Sequence, residues 1–217
     1  MFFEKLTEIM RIFCIYFLRF IYLNMLWGLF TLAGLVVFGF SPATIAVYRV
    51  QEKLIEEKHI PSIWKTFWQA YRSNFWSANK LGFVLTIIGG IIYFDLQFFI
   101  MMDHAWSYYA GILFYILSVW YMIMLLYIIP VSTSYSLTLF GKLKQAFIIG
   151  MLHPIKTILM AISLAGTVYI LLMFPQLLIT IGISLISFIV MIFGKTAVEH
   201  VSELKHRVAQ QQTVKQT

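Results

Sequence analysis

Apolar positions along this chain fall into long uninterrupted runs separated by short polar stretches, rather than into the amphipathic alternation of a soluble domain. About 20 mostly apolar residues suffice to cross the hydrocarbon core of a bilayer as a helix. Five runs qualify, over 20–40, 81–102, 105–131, 155–174 and 176–194. Their ends carry the expected punctuation. Lys80 and Asp103 bracket the second run, Pro154 opens the fourth, Pro175 separates it from the fifth, and Gly194-Lys195 closes the last. The expected fold is all-α and polytopic. One transmembrane domain occupies 1–198, and a polar tail follows over 199–217.

Between the runs, the pattern changes to helical amphipathicity. In 64–82, WKTFWQAYRSNFWSANKLG, the side chains of Trp64, Phe67, Trp68, Tyr71, Phe75 and Ala78 fall within about 60° of one line at 100° per residue. Lys65, Thr66, Gln69, Ser73, Ser77 and Lys80 fall opposite, and Lys65, Arg72 and Lys80 interleave the aromatics along the chain. Trp and Tyr favour the headgroup level, and Lys and Arg favour an anionic leaflet. The stretch therefore reads as an interfacial helix running into the second span. Residues 41–60 read as a charged, solvated helix, with Ser41 as N-cap, Pro42 in its first turn and a break at Pro61-Ser62. Over 1–13, Phe2, Leu6, Ile9, Met10 and Phe13 share one face, with Glu4, Glu8 and Arg11 opposite. A second juxtamembrane stretch, 136–154, precedes the last two spans, which suggests a parallel repeat of lead segment plus hairpin. In the tail, Val198, Val201, Leu204 and Val208 extend the last helix by about three turns at 3.6 residues per turn, and the Gln- and Thr-rich end is expected to be disordered.

Composition removes the soluble alternatives. Hydrophobic residues make up 61% of the chain, charged residues 12%, and the mean hydropathy is +0.85. Soluble domains have about 45–50% apolar and about 25% charged residues. The net charge of +7 therefore bears on orientation rather than on nucleic acid, although interleaved aromatic and basic residues could in principle stack on single strands. Thirteen of the sixteen Lys and Arg lie in the connections 41–80 and 132–156 or after Gly194, and only Lys5, Arg11 and Arg19 precede them. By the positive-inside rule, the N-terminus is expected outside and the C-terminus inside. Glu4 and Glu8 stand where a signal peptide would be basic, so the start reads as retained.

Little in the sequence suggests catalysis. Cys14 stands alone, and no metal-ligand spacing, nucleophile–base set or phosphate loop occurs, so no enzyme activity, metal or cofactor is expected. Asp95 is the one carboxylate inside an expected span. It would cost about 2.5–3.5 kcal/mol at mid-bilayer, which makes it a functional candidate, although its nearness to Asp103 also allows it to snorkel to the headgroups. Arg19 and Asn24 suit bonds between helices. His153 suits a cap or interfacial contact before Pro154. Ser132, Thr133, Ser134 and Ser136 offer hydroxyls near the end of the third span.

One stretch carries a family pattern. NMLWGLFTLAGLVVFGFSPATIAVY (24–48) has Asn24 and Trp27 as Asn-x-x-Trp, glycines at 34 and 39, then Pro42-Ala43-Thr44. It resembles the YesL-like family of bacterial membrane proteins, as do Phe67, Asn74, Phe75 and Asn79 downstream and the pair His153-Pro154. The sequence departs from that pattern at Ala33, where a proline is expected. The resemblance implies the topology described above in a bacterial cell membrane, and a setting beside carbohydrate uptake systems. Two functions follow as expectations. One is a non-catalytic accessory or interaction subunit of a carbohydrate ABC importer. The other is a small solute-binding or transport protein acting alone, which would show polar side chains converging in the membrane or broken helices.

Overall fold

A computed structural model describes residues 2–57, 62–102, 105–135 and 137–215, without side chains at 2–3, 105 and 202–215. Lys58, Pro61, Asp103, His104 and Ser136 therefore lie outside the described residues, as do the side chains of Phe2, Leu204 and Val208. Every regular element among the described residues is helical. Five helices are long and apolar enough to cross a membrane, and these segments are Glu4–Ala33, Ile63–Met101, Trp106–Ser134, Pro154–Met173 and Pro175–Val201. The chain divides into two compact units, Met1–Trp76 with Ile162–Ile189, and Ser77–Ala161 with Val190–Thr217.

In the first unit, α1 (Phe2–Ala33) turns sharply and α2 (Val37–Glu56) packs back against it. This corrects the expectation of one span over 20–40. The helix breaks at Gly34, and Leu35 and Val36 take left-handed φ values of 55° and 64°. The two helices cross at a pair of glycines. A Cβ on Gly34 would strike the Gly39 backbone, and one on Gly39 would strike the carbonyls of Thr31 and Phe30. The turn keeps its backbone satisfied: Gly34 N–H donates to Phe30 O, Leu35 to Leu32 O, Val36 to Thr31 O, and Val37 to Leu35 O. Its tip is apolar, with Leu35 79% exposed and Val36, Val37, Phe38 and Phe40 exposed as well.

Over its described residues, 41–57, the segment 41–60 is not a solvated helix either. Helix α2 begins at Val37, ahead of Ser41, with no side-chain cap, and Pro42 lies inside it. Ala43, Ala46, Val47 and Val50 are buried against Leu23, Leu26, Phe30, Phe67 and Tyr71, and Pro42 is buried as well. Small residues at 43 and 46 let α2 approach closely, and its charges, Arg49, Glu52, Lys53 and Glu56, are confined to its last two turns.

Helix α3 (Ile63–Met101) is continuous, so the aromatic stretch does run straight into a span. Ser62 caps it, its Oγ accepting from Lys65 N–H at 3.4 Å. Its first turns belong to the first unit, which also contains the end of α6 (Pro154–Met173), the short turn α7 (Pro175–Leu177), a π-helical turn Leu178–Gly182, and the start of α8 (Ile183–Lys215). Helix α8 continues to Lys215, against the expectation of a disordered Gln- and Thr-rich end.

The second unit is built on α4 (Ala105–Ser134) and α5 (Leu139–Leu152), which pack together with Gly150 against Ile123 and Tyr127. Thr138 caps α5 by accepting from Gly141 N–H. Gly194 of α8 lies against the ring of Pro130.

Candidate functional site

The polar groups of the first unit converge where the last span is irregular. Pro175 has no N–H to continue a helix, and the π-helical turn after it shifts the hydrogen-bond ladder by a residue. The Asn24 side chain fills the gap. Its Nδ2 donates to Ile179 O at 2.6 Å, and its Oδ1 accepts from the N–H groups of Ile183 and Ser184 at 3.0 and 3.4 Å. One amide thus bridges Ile179 O and Ile183 N–H, the pair that an α-helix would bond directly.

Gln51 reaches the same point from α2. Its Nε2 donates to Ser184 O at 2.7 Å. The Ser187 hydroxyl lies 3.0 Å from Gln51 Oε1 and 3.1 Å from Ser184 O, and its one proton serves one or the other. Asn24, Gln51, Ser184 and Ser187 are all buried. In hydrocarbon, each unbonded backbone group would cost several kcal/mol, so two side-chain amides make a broken helix tolerable there. Sequence reasoning singled out Asn24 but missed Gln51, Ser184 and Ser187. The available signal was Gln51 itself, one turn beyond Val47 on the otherwise apolar face of α2.

The motif residues meet as well. Trp27 Nε1–H donates to Thr44 Oγ1 at 3.1 Å, and that hydroxyl donates to Phe40 O at 2.8 Å. Trp27 also stands edge-on to Phe40, with ring centroids 5.7 Å apart. Trp27 of the first motif and Thr44 of the second therefore lock the α1–α2 hairpin, and Pro42 beside them in sequence is buried.

The aromatic stretch is placed differently from the sequence expectation. Phe67 and Tyr71 are buried against Phe30, and Tyr71 OH donates to Phe30 O at 3.3 Å. Trp64 and Trp68 also contact Phe30 but keep nearly half their surface exposed. This face packs on protein as much as on any interface. Lys65 and Arg72 are exposed at its flank. Asn74 Nδ2 donates to Ala70 O at 2.9 Å, and Asn79 is buried.

Asp95 is half-buried on α3, and among the described residues it makes no hydrogen bond or ion pair. In the second unit, Pro154 cannot donate to Gly150 O. The Thr157 hydroxyl lies 3.2 Å from that carbonyl, 3.0 Å from His153 O and 2.9 Å from the buried Tyr127 OH. His153 stands edge-on to His200, with centroids 5.1 Å apart. Its buried Nε2 has no hydrogen-bond partner among the described residues. Burial, then the nearby Lys156 and His200, push its pKa below the ordinary 6.5. Among the described residues, no three His, Cys, Asp or Glu side chains gather as metal ligands would.

The family described as "Protein of unknown function, DUF624" matches residues 20–96, which hold Asn24, Trp27, Thr44, Gln51 and the aromatic stretch. The Bacillus subtilis (strain 168) protein "Uncharacterized protein YteU" is 33% identical over 176 residues, 81% of this chain and 79% of that protein. The chain belongs to this YesL-like family. "Uncharacterized protein YesL" itself is 28% identical over 177 residues, covering 82% of this chain and 83% of that protein, and "Uncharacterized protein YesV" is 30% identical over 185 residues, covering 82% and 88%. No solved structure matches the chain. The family match contains the α1 and α2 side of the amide clamp, whereas Ser184 and Ser187 lie beyond it.

Proposed function

We propose that this YesL-like protein is a non-catalytic subunit of the bacterial plasma membrane that acts by contact with other membrane proteins. The partner we propose, on the family resemblance alone, is a membrane subunit of a carbohydrate ABC importer. The observation that supports an interaction role is the surface of α3. None of its most apolar stretch is buried within the chain, and Phe94 is 72% and Phe98 54% exposed around the half-buried Asp95. A carboxylate amid lipid-length apolar surface is stabilised by a polar group on a neighbouring helix. The buried amides Asn24 and Gln51, by contrast, are bonded to the backbone of their own chain.

A photo-crosslinker at Phe94 or Phe98 in native membranes tests this. Adducts with an importer membrane subunit, reduced by Asp95→Asn, are the expected result. Purified protein that takes up sugar alone in vesicles would overturn it.

The broken helix at 174–182 favours the second reading, a solute-binding or transport protein, because such proteins bind substrate where spanning helices are interrupted. The two readings part at Gln51. Gln51→Leu abolishes solute binding in the second reading and leaves partner crosslinking intact in the first.

A further inference from the structure

Between α2 and the first turns of α3 lies an open groove of about 300 Å³, lined by Arg49, Lys53, Thr66, Gln69, Ala70, Ser73 and Asn74. Arg49 and Lys53 are one turn apart on the same face of α2, so both cations address it. Arg49 gives one guanidinium nitrogen to Glu52 at 3.2 Å. Its planar fork keeps further N–H donors. Among the described residues, Lys53 Nζ and the Gln69 side-chain amide make no hydrogen bond or ion pair. Thr66 and Ser73 also line it, with their hydroxyls donating to Ser62 O and Ala70 O at 3.0 and 3.3 Å. Two cations and an amide donor around one concavity suit a tetrahedral phosphate oxyanion. Trp64 and Trp68, half-exposed on the same turns of α3, mark the headgroup level, and α3 continues from there as a membrane-length helix.

We propose that this groove binds the phosphodiester of an anionic glycerophospholipid. Lys53, Arg49 and Gln69 hold the phosphate, and the acyl chains lie along the exposed apolar surface of α3. Phosphatidylglycerol is the probe. A soluble phosphate ester offers the same charge without the chains, and therefore distinguishes a lipid from a small phosphate. The site stands independently of the accessory reading, because it requires only lipid and this chain.

The test uses the purified full-length protein in mild detergent. Retained lipid is counted by native mass spectrometry, and the melting temperature is followed during titration with phosphatidylglycerol, phosphatidylcholine of the same chains, or glycerol 3-phosphate. Phosphatidylglycerol should be retained and raise the melting temperature well beyond phosphatidylcholine. Lys53→Gln should weaken binding about fivefold, and the double change with Arg49→Gln about 25-fold, at roughly one such factor per basic residue near an anionic surface. Lys53 is exposed, so its substitution leaves the fold intact. Gln69→Ala should also weaken retention, although it removes no charge. Lys144→Gln, an equal loss of charge on exposed α5 surface, should change nothing. Equal retention of the two lipids, or equal losses for Lys144→Gln and Lys53→Gln, would overturn the site. Binding of glycerol 3-phosphate as tight as that of phosphatidylglycerol would overturn the lipid assignment.

Discussion

At the scale of single residues, the membrane part of this protein is held by a few polar side chains that replace missing backbone bonds. Asn24 does so at the π-helical turn and Thr157 at Pro154. Asn24→Leu leaves Ile179 O and the N–H groups of Ile183 and Ser184 without this partner. A loss of about 1–3 kcal/mol is expected in reversible unfolding from detergent micelles. Gln51→Leu should cost less, since Ser187 can still bond Ser184 O. The two changes share Ser184, so a double-mutant cycle should be non-additive. Additive losses would mean that the two amides do not form one clamp. His153 sets a pH dependence. Its folded pKa lies below 6.5, so the unfolded chain binds the proton more readily. Its stability is therefore complete above about pH 6.5 and falls as acid titrates the unfolded His and then the folded one. His153→Gln should flatten the melting-temperature profile between about pH 7.5 and 5. An unchanged slope would assign the dependence to another group.

At the scale of elements, the α1–α2 hairpin depends on two glycines and two strained residues. Gly39→Ala places a methyl group against the carbonyls of Phe30 and Thr31, which belong to helix backbone and cannot swing away. A loss of at least about 1–3 kcal/mol is expected. Val36 is β-branched at φ 64° and ψ −60°, the centre of a γ-turn closed by Val37 N–H to Leu35 O, a strained conformation that costs about 1–3 kcal/mol. Val36→Gly removes that strain against about 0.5–1 kcal/mol of added chain freedom. The variant should therefore be slightly more stable than the native chain in the same unfolding assay. A clear destabilisation would show that the Val36 side chain contributes more than its backbone costs.

At the scale of the whole molecule, the Lys and Arg distribution supports a proposal for orientation. Thirteen of sixteen lie in segments that would share one side, with the N-terminus opposite. Single cysteines on a Cys14→Ser background test it. In intact cells, Lys144→Cys should resist an impermeant thiol reagent, whereas Tyr109→Cys and Glu8→Cys should label. All three positions are exposed. Protection of Glu8→Cys together with Lys144→Cys would put both termini on one side and leave α1–α2 as a hairpin that enters and returns.

The sequence by itself determined the all-α class, the five membrane-length apolar segments and the family, because hydropathy over about 20 residues and short motifs are local properties. It also placed Asn24, Trp27 and Thr44 among the residues that matter. Tertiary structure decided what they do. The pattern from Leu26 to Phe40 reads as one apolar run, and only the approach of α2 onto α1 at Gly34 and Gly39 makes it two helices. Gln51 stands beside the charges at 52–58 in sequence, and its buried amide gains its meaning from Ser184 and Ser187, more than 130 residues away. The face of Trp64, Phe67 and Tyr71 could serve lipid or protein equally well by periodicity, and the ring of Phe30 decided for protein in part. Periodicity records which residues avoid water. Which neighbour completes each bond is fixed only when the distant helices come together.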